Sequence, residues 1–364
     1  MGWLTGWQYR RAITIDRTKV DSDLYNFPVL VALTSSNFNF SKARTDGYDI
    51  RFTSSDGTTL LDYERERHNA SSQVAEYWVR VPLVSSTSDT VIYMYYGKSD
   101  ASDGQNKTGV WDSNFKAVWH LHETAGTHYD STSNNNHGTP YGGVIQGTTA
   151  KIDGGDQFDG YNDYVEIPHS SSLLPNDGSG PGNGSWTISV WMKPPNSEQA
   201  SGLVAKRQND WFPQYSLCIG QGLLYPAKAI LFIYQEAYPN PRRSTATTTN
   251  IVDGNWHHVV GVADKSLNKS LIYVDGVLAP ADYHTVGSWP IINNTQPAWL
   301  GRWTSTSYYY SGLLDEVRLT NGVRSAAWIK AEYHAGNGTL LSVGSEEQQT
   351  AAAKIPWHLF SMSM

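Results

Sequence analysis

Two glutamates stand two residues apart in Asp62-Tyr63-Glu64-Arg65-Glu66-Arg67-His68. On an extended strand such residues share a face. Glycoside hydrolysis needs a pair of carboxyl groups, one to protonate the leaving oxygen and one to attack or to activate water. The same two residues have a plainer use, because Arg65, Arg67 and Arg80 are at hand for ion pairs on a sandwich surface. His120 and His122 also share a face, but neither a cysteine nor a third histidine accompanies them, so hydrogen-bonded histidines within the sandwich are expected. His257 and His258 are adjacent, point to opposite faces, and cannot hold one metal together. The lone Cys218, in Tyr215-Ser216-Leu217-Cys218-Ile219-Gly220, reads as a small buried apolar residue of a strand, not a nucleophile. No Ser-His-Asp arrangement, Gly-rich phosphate loop or zinc-type cysteine pair occurs.

Aromatic residues point to a different chemistry. Sugars are recognised by flat rings that stack on the C–H faces of a pyranose, flanked by amide, carboxylate and guanidinium groups that pair with hydroxyls. Residues 209 to 243 and 284 to 310 have this composition, with Trp211, Trp299 and Trp303 interleaved with Gln235, Glu236, Arg242, Arg243 and Arg302. A large ring at a strand position is normally core. Trp211-Phe212-Pro213 and Ser307-Tyr308-Tyr309-Tyr310 read as loops, where consecutive exposed rings mark an interaction surface. The expected ligand-binding set is therefore Trp211, Phe212, Gln235, Arg243, Trp303, Tyr308, Tyr309 and Tyr310.

The elements that must position these groups are strands. Aromatics at 12% and 32 glycines, with charged residues at only 17% and no long Lys-, Glu- and Ala-rich runs, mark an all-β chain. A length of 364 residues calls for two cores. Strands are expected over Arg11 to Asp16, Pro28 to Leu33, Asp49 to Ser54, Glu76 to Pro82 and Thr90 to Gly97, separated by turn clusters such as Ser54-Ser55-Asp56-Gly57. Asp275-Gly276 follows Leu271-Ile272-Tyr273-Val274 and predicts a tight hairpin. A short helix is expected from Ser325 to Tyr333 with Ser325 as N-cap. The net charge of −7 without a basic block argues against nucleic acid and anionic membranes as partners. No apolar run is long enough for a transmembrane helix. The first residues lack the pattern of a signal peptide.

Two stretches resemble known families. Trp7-Gln8-Tyr9-Arg10-Arg11-Ala12-Ile13, Asn26-Phe27-Pro28-Val29, Gly47-Tyr48-Asp49-Ile50-Arg51-Phe52 and Tyr93-Met94-Tyr95-Tyr96-Gly97 resemble DUF2341, a domain of undefined function often found in secreted or surface proteins. Asp130 to Gly138, Phe158-Asp159-Gly160 with Asp163-Tyr164-Val165, Trp186 to Lys193, Trp256-His257-His258-Val259-Val260 with the Asp275-Gly276 hairpin, and Gly312 to Arg318 resemble, in order, laminin-G-like jelly rolls of the concanavalin A-like superfamily. The resemblance implies two β-sandwich domains in tandem, residues 1–115 and 116–348, followed by a tail, 349–364, that matches neither family. It implies a secreted or surface protein that binds polysaccharide or glycan without cleaving it, since the Glu-x-Asp-x-x-Glu strand of catalytic jelly rolls is absent. A glycoside hydrolase or lyase using Glu64 and Glu66, and an adhesin or assembly subunit that binds protein, are the alternatives. It further implies a structural calcium ion on Asp315, with Asp130 and the Asp159-Gly160 turn as partners.

Overall fold

The structure, a computed structural model, describes residues 2–180, 182–197, 200–209, 212–220, 228–234, 242–284, 294–304 and 307–349. The chain folds into two packed β-sandwiches, as its composition predicts. In the first, a four-stranded antiparallel sheet runs in the order Leu341–Gln348, Tyr9–Ile15, Thr90–Tyr96, Arg51–Thr53. It faces a three-stranded sheet in the order Leu24–Thr34, Val74–Val84, Tyr63–Asn69. Each of the five strands expected between residues 11 and 97 is present. The alternation of Val29, Val31 and Leu33, all fully buried, shows why: period-two apolar residues can fill one core only as a strand.

The second sandwich consists of two eight-stranded sheets. One carries Val277–Leu278, Lys269–Val274, His257–Asp264, Trp186–Lys193, Ser311–Asn321, Gly154–Asp159 and Ile145–Thr149 in that order, with Phe115–Trp119 also paired to Ser311–Asn321. This sheet turns its outer face to the first sandwich and is called here the seam sheet. The other, the open sheet, runs Ala281–His284, Arg242–Asn250, Lys228–Tyr234, Phe212–Ile219, Ser201–Asn209, Ala298–Leu300, Tyr164–Ile167, Thr139–Tyr141. Ile188, Val190, Leu217, Leu231, Val259, Leu300 and Val317 fill the space between the two sheets. Asp275 and Gly276 both have positive φ, 51° and 79°, as the predicted tight turn requires.

The helix Ala326–Gly336 wedges the sandwiches together. Ser325 caps it by accepting from the Trp328 amide, as the sequence predicts. Trp328 enters the first core and meets Phe27 at 4.8 Å between ring centroids. Ile329, one residue on, packs against Val260, Val262 and Tyr273 on the outside of the seam sheet.

The expected division at residues 115/116, with the second domain running to residue 348, needs correction. Leu341–Gln348 does not extend the second sandwich; it returns to pair with Tyr9–Ile15, Arg10 opposite Glu347, and their side chains meet at 2.7 Å. Without it Tyr9–Ile15 would be an edge strand with open backbone groups. Phe115 and Val118, at the other boundary, belong to the first core. Of the tail, residues 350–364 lie outside the described residues. No helix among the described residues is long and apolar enough to cross a membrane.

Candidate functional site

On the open sheet, Val165, Ile167, Ala298 and Leu300 belong to the core. The alternate residues Tyr164, Glu166 and Trp299 therefore face outward. Register brings them side by side, with Tyr141 opposite Tyr164 and Glu166 opposite Trp299. The Tyr141 and Tyr164 rings stack at 5.1 Å with 15° between planes. The Arg302 guanidinium carbon lies 3.6 Å from the Tyr164 centroid and 4.2 Å from that of Trp299. Glu166 Oε2 accepts from Trp299 Nε1 at 3.1 Å and lies 3.9 Å from Arg302. Tyr309, bridged to Arg302 through the backbone, approaches Tyr164 at 6.3 Å. Tyr308 leans on Trp303 at 5.2 Å and is 48% exposed, and Tyr141 is 45% exposed. Tyr141, Tyr164 and Tyr309 thus form a patch of rings beside the part-exposed Glu166 and over the buried Arg302 and Trp299, and Tyr308, next in sequence to Tyr309, rests on the buried Trp303.

The residues expected to bind ligand separate into three groups. Tyr308 and Tyr309 lie on this patch. Trp303 and Tyr310 do not offer rings to solvent. Trp303 is a buried roof over Ala205, Cys218, Ile230 and Ala246 and donates to Ser216 Oγ, while Tyr310 is fully buried in the main core. The run Tyr308-Tyr309-Tyr310 is thus not a loop of three exposed rings, because Tyr308 takes a positive φ of 63° and the chain turns there, carrying Tyr310 into the core. Trp211 and Gln235 lie outside the described residues, and of Phe212 and Arg243 only the strand backbone is described. Tyr141, Tyr164 and Glu166 were missed by the sequence reading. Their signal is the alternation Tyr164-Val165-Glu166-Ile167, which places one ring and one carboxylate outward.

The carboxylates Glu64 and Glu66 lie elsewhere, at the seam. Neither pairs with an arginine of its own strand; Arg65 holds Asp103, Arg67 holds Glu76 and Asp153, and Arg80 holds Asp62. A register shift between Arg65 and Arg67 bulges the strand, and both glutamates meet His120 of the second sandwich. His120 bridges Glu316 at 2.5 Å through Nδ1 and Glu64 at 3.2 Å through Nε2. Burial works against an imidazolium, but Glu316, Glu66 and Glu64 together outweigh it and hold the His120 pKa well above its usual value. Glu64 also accepts from Trp111 Nε1 and Ser131 Oγ. Arg318 clamps Glu316 and Glu332 and lies over Trp78 at 4.3 Å. Burial, reinforced by Glu316, pushes the Glu66 carboxyl well up. The side chains of Glu64 and Glu66 are 7% and 0% exposed, so no polymer reaches them between the sandwiches.

The expected calcium ligands are not brought together. Asp130 spends both oxygens on the amides of Val118, Thr132 and Asn136 and the Thr132 hydroxyl. Asp159 caps its own turn, accepting from the Tyr161 and Asn162 amides next to Gly160 at φ 81°. It pairs opposite Ser311, four strand positions from Asp315 and so roughly 13 Å away. Asp315 is buried at the seam and accepts from the Ile152 amide. Among the described residues, the groups of three close enough to share an ion are Glu66–His122–Asp153 and Glu66–His120–Glu316.

Fold and surface together define a tandem β-sandwich protein whose second sandwich carries an aromatic-rich open sheet. Residues 159–330 match the family described as the concanavalin A-like lectin/glucanases superfamily, and residues 46–139 match the domain of unknown function DUF2341, in the order the sequence implies. Among solved structures, the binding domain of Paraclostridial Mosquitocidal Protein 1 is 12% identical with a TM-score of 0.49, over 61% of this chain and 52% of that one. Domain 4 of AbnA, a GH43 extracellular arabinanase from Geobacillus stearothermophilus, solved in complex with arabinotriose, is 17% identical with a TM-score of 0.44, over 60% of this chain and 97% of that one. The binding domain of botulinum neurotoxin DC, solved with rat synaptotagmin II, is 12% identical with a TM-score of 0.47 over 61% and 52%. The match thus spans about half the length of the toxin binding domains. A comparison with curated proteins finds no match.

Proposed function

We propose that the second sandwich binds polysaccharide or glycan non-covalently on the open sheet, as part of a secreted or surface-displayed protein. The observation that carries this reading is the ring-rich outer face of the open sheet, where Tyr141 and Tyr308 each leave about half their surface to solvent and Glu166 supplies a part-exposed carboxylate. Rings in that setting stack on sugar C–H faces and the part-exposed Glu166 carboxylate pairs with hydroxyls, while the buried Arg302 guanidinium braces the Tyr164 and Trp299 rings. The lectin/glucanase description of the matched family supports the same reading. Binding is preferred over hydrolysis because the one carboxylate pair singled out by the sequence is sealed between the sandwiches. A structural calcium ion on Asp315 is not part of the proposal.

The test is retention on a panel of insoluble polysaccharides and a glycan array, with a reducing-sugar assay in parallel. An aromatic stack contributes about 1 kcal/mol beyond the area it buries. Replacing Tyr141 and Tyr308 together by Ala therefore weakens binding at least tenfold, with the fold unchanged by circular dichroism. Retention that survives the double substitution rules out the patch, and sugar release that stops in Glu64→Gln reverses the choice between binding and hydrolysis.

A further inference from the structure

The seam network is unsatisfied at one corner. The Glu66 side chain is 0% exposed; its Oε2 accepts from Trp78 Nε1 at 2.6 Å, whereas Oε1 has no hydrogen-bond partner. That oxygen faces His122 Nδ1 at 4.0 Å, and this buried nitrogen has no hydrogen-bond partner either. Asp153 completes the group, with one ligand atom from each of the three residues within 4.8 Å of the others. Its Oδ1 also meets Arg67 Nη1 at 2.7 Å, which leaves lone-pair capacity on the carboxylate.

We propose that Glu66, His122 and Asp153 hold one divalent transition-metal ion of the zinc type at the seam between the two sandwiches. Two unpartnered donor atoms buried face to face are the arrangement an ion resolves, since protein interiors seldom leave such atoms unpaired. The ligand set selects the metal. Calcium and magnesium take oxygen donors, while zinc takes an imidazole nitrogen with carboxylate oxygens and uses three protein ligands plus a water where the site opens to solvent. The opening is present here, with the His122 and Asp153 side chains 30% and 19% exposed. The neighbouring group Glu66–His120–Glu316 is not a competitor, because both ring nitrogens of His120 are already committed to glutamates.

Charge points the same way. The seam gathers the carboxylates of Glu64, Glu66, Glu76, Asp153, Asp315, Glu316 and Glu332 around the cations Arg67, His120 and Arg318. The ligands come from the first sandwich's strand Tyr63–Asn69 and from the segments that flank Phe115–Trp119 and Gly154–Asp159 in the second. One ion would cross-link the two sandwiches and stabilise the pair by mass action.

The test uses the full chain stripped with chelator and titrated with zinc chloride, read by calorimetry, elemental analysis after gel filtration, and thermal unfolding. One zinc per chain and a raised melting temperature are expected, with no rise in equal calcium or magnesium. Glu66→Gln, His122→Ala and Asp153→Asn should each weaken zinc binding at least tenfold, while His257→Ala, away from the seam, should not. Any site variant that fails to fold without metal is replaced by the other two. Cobalt absorption on the wild-type chain, abolished by one equivalent of zinc, gives a readout independent of them all. Wild-type chain that retains no zinc, or site variants that retain it as tightly as wild type, overturns the proposal.

Discussion

At the scale of single residues, His128 shows what burial between carboxylates does. Its Nδ1 lies 3.0 Å from Glu123 and its Nε2 2.9 Å from Asp156. Burial opposes the charged ring, but the adjacent carboxylates of Asp156 and Glu123 outweigh it and raise its pKa to about 9. A raised folded pKa contributes stability that is complete below the unfolded value near 6.5 and is lost as pH rises through about 9. A shift of that size corresponds to roughly 3 kcal/mol at most. Lys206 overlaps the upper end of that window with the opposite sign, since burial lowers its pKa from 10.5 to about 8 and deprotonation above about 8 relieves the cost. Wild type must therefore be compared with His128→Gln. Its stability advantage in urea unfolding should shrink between pH 6.5 and 9, and an advantage that stays constant means that the native ring is neutral. The tyrosine run teaches a related lesson, because Tyr308 and Tyr310 differ from 48% to 0% exposure although they are two residues apart.

At the scale of elements, bulges and edges decide where side chains aim. The shift between Arg65 and Arg67 makes Glu66 the extra residue of its strand. In Ser311–Asn321 the matching device is Glu316, at φ 51°, where the register against Trp186–Lys193 also slips. Asp315 and Glu316 consequently both serve the seam while Leu314 and Val317 stay in the core. The closing strand Leu341–Gln348 performs another task by covering Tyr9–Ile15. Ending the chain at Leu340 should expose that edge and the apolar positions beside it, giving oligomers or aggregates by gel filtration and a lower melting temperature. A truncated chain that stays monomeric and melts as wild type would show that the strand is dispensable.

At the scale of the whole molecule, the two sandwiches share structural parts and are expected to unfold as one body. Trp328 belongs to the first core, the last strand belongs to the first sheet, and His120 ties Glu64 of one sandwich to Glu316 of the other. Removing one partner of a buried charge pair strands the others, at a cost of about 3–5 kcal/mol. His120→Ala should lower the urea midpoint accordingly and keep a single transition. Two separate transitions in the wild-type chain would mean that the sandwiches unfold independently.

Local order was legible in the residues alone. Period-two apolar alternation marks the strands, Asp275-Gly276 the hairpin and Ser325 the helix cap, because each depends on backbone conformation and neighbours within a few positions. The order of the two sandwiches was legible for the same reason, as a succession of local signatures. Which of three tyrosines faces solvent, where Glu64 and Glu66 point, and which sheet receives the last strand depend on pairings between residues far apart in sequence. Tyr141 meets Tyr164, Glu64 meets His120 and Arg10 meets Glu347 only after the sheets have chosen their register. A sequence carries that register in the sum of all its burial preferences, and only the packed molecule resolves the sum into one arrangement.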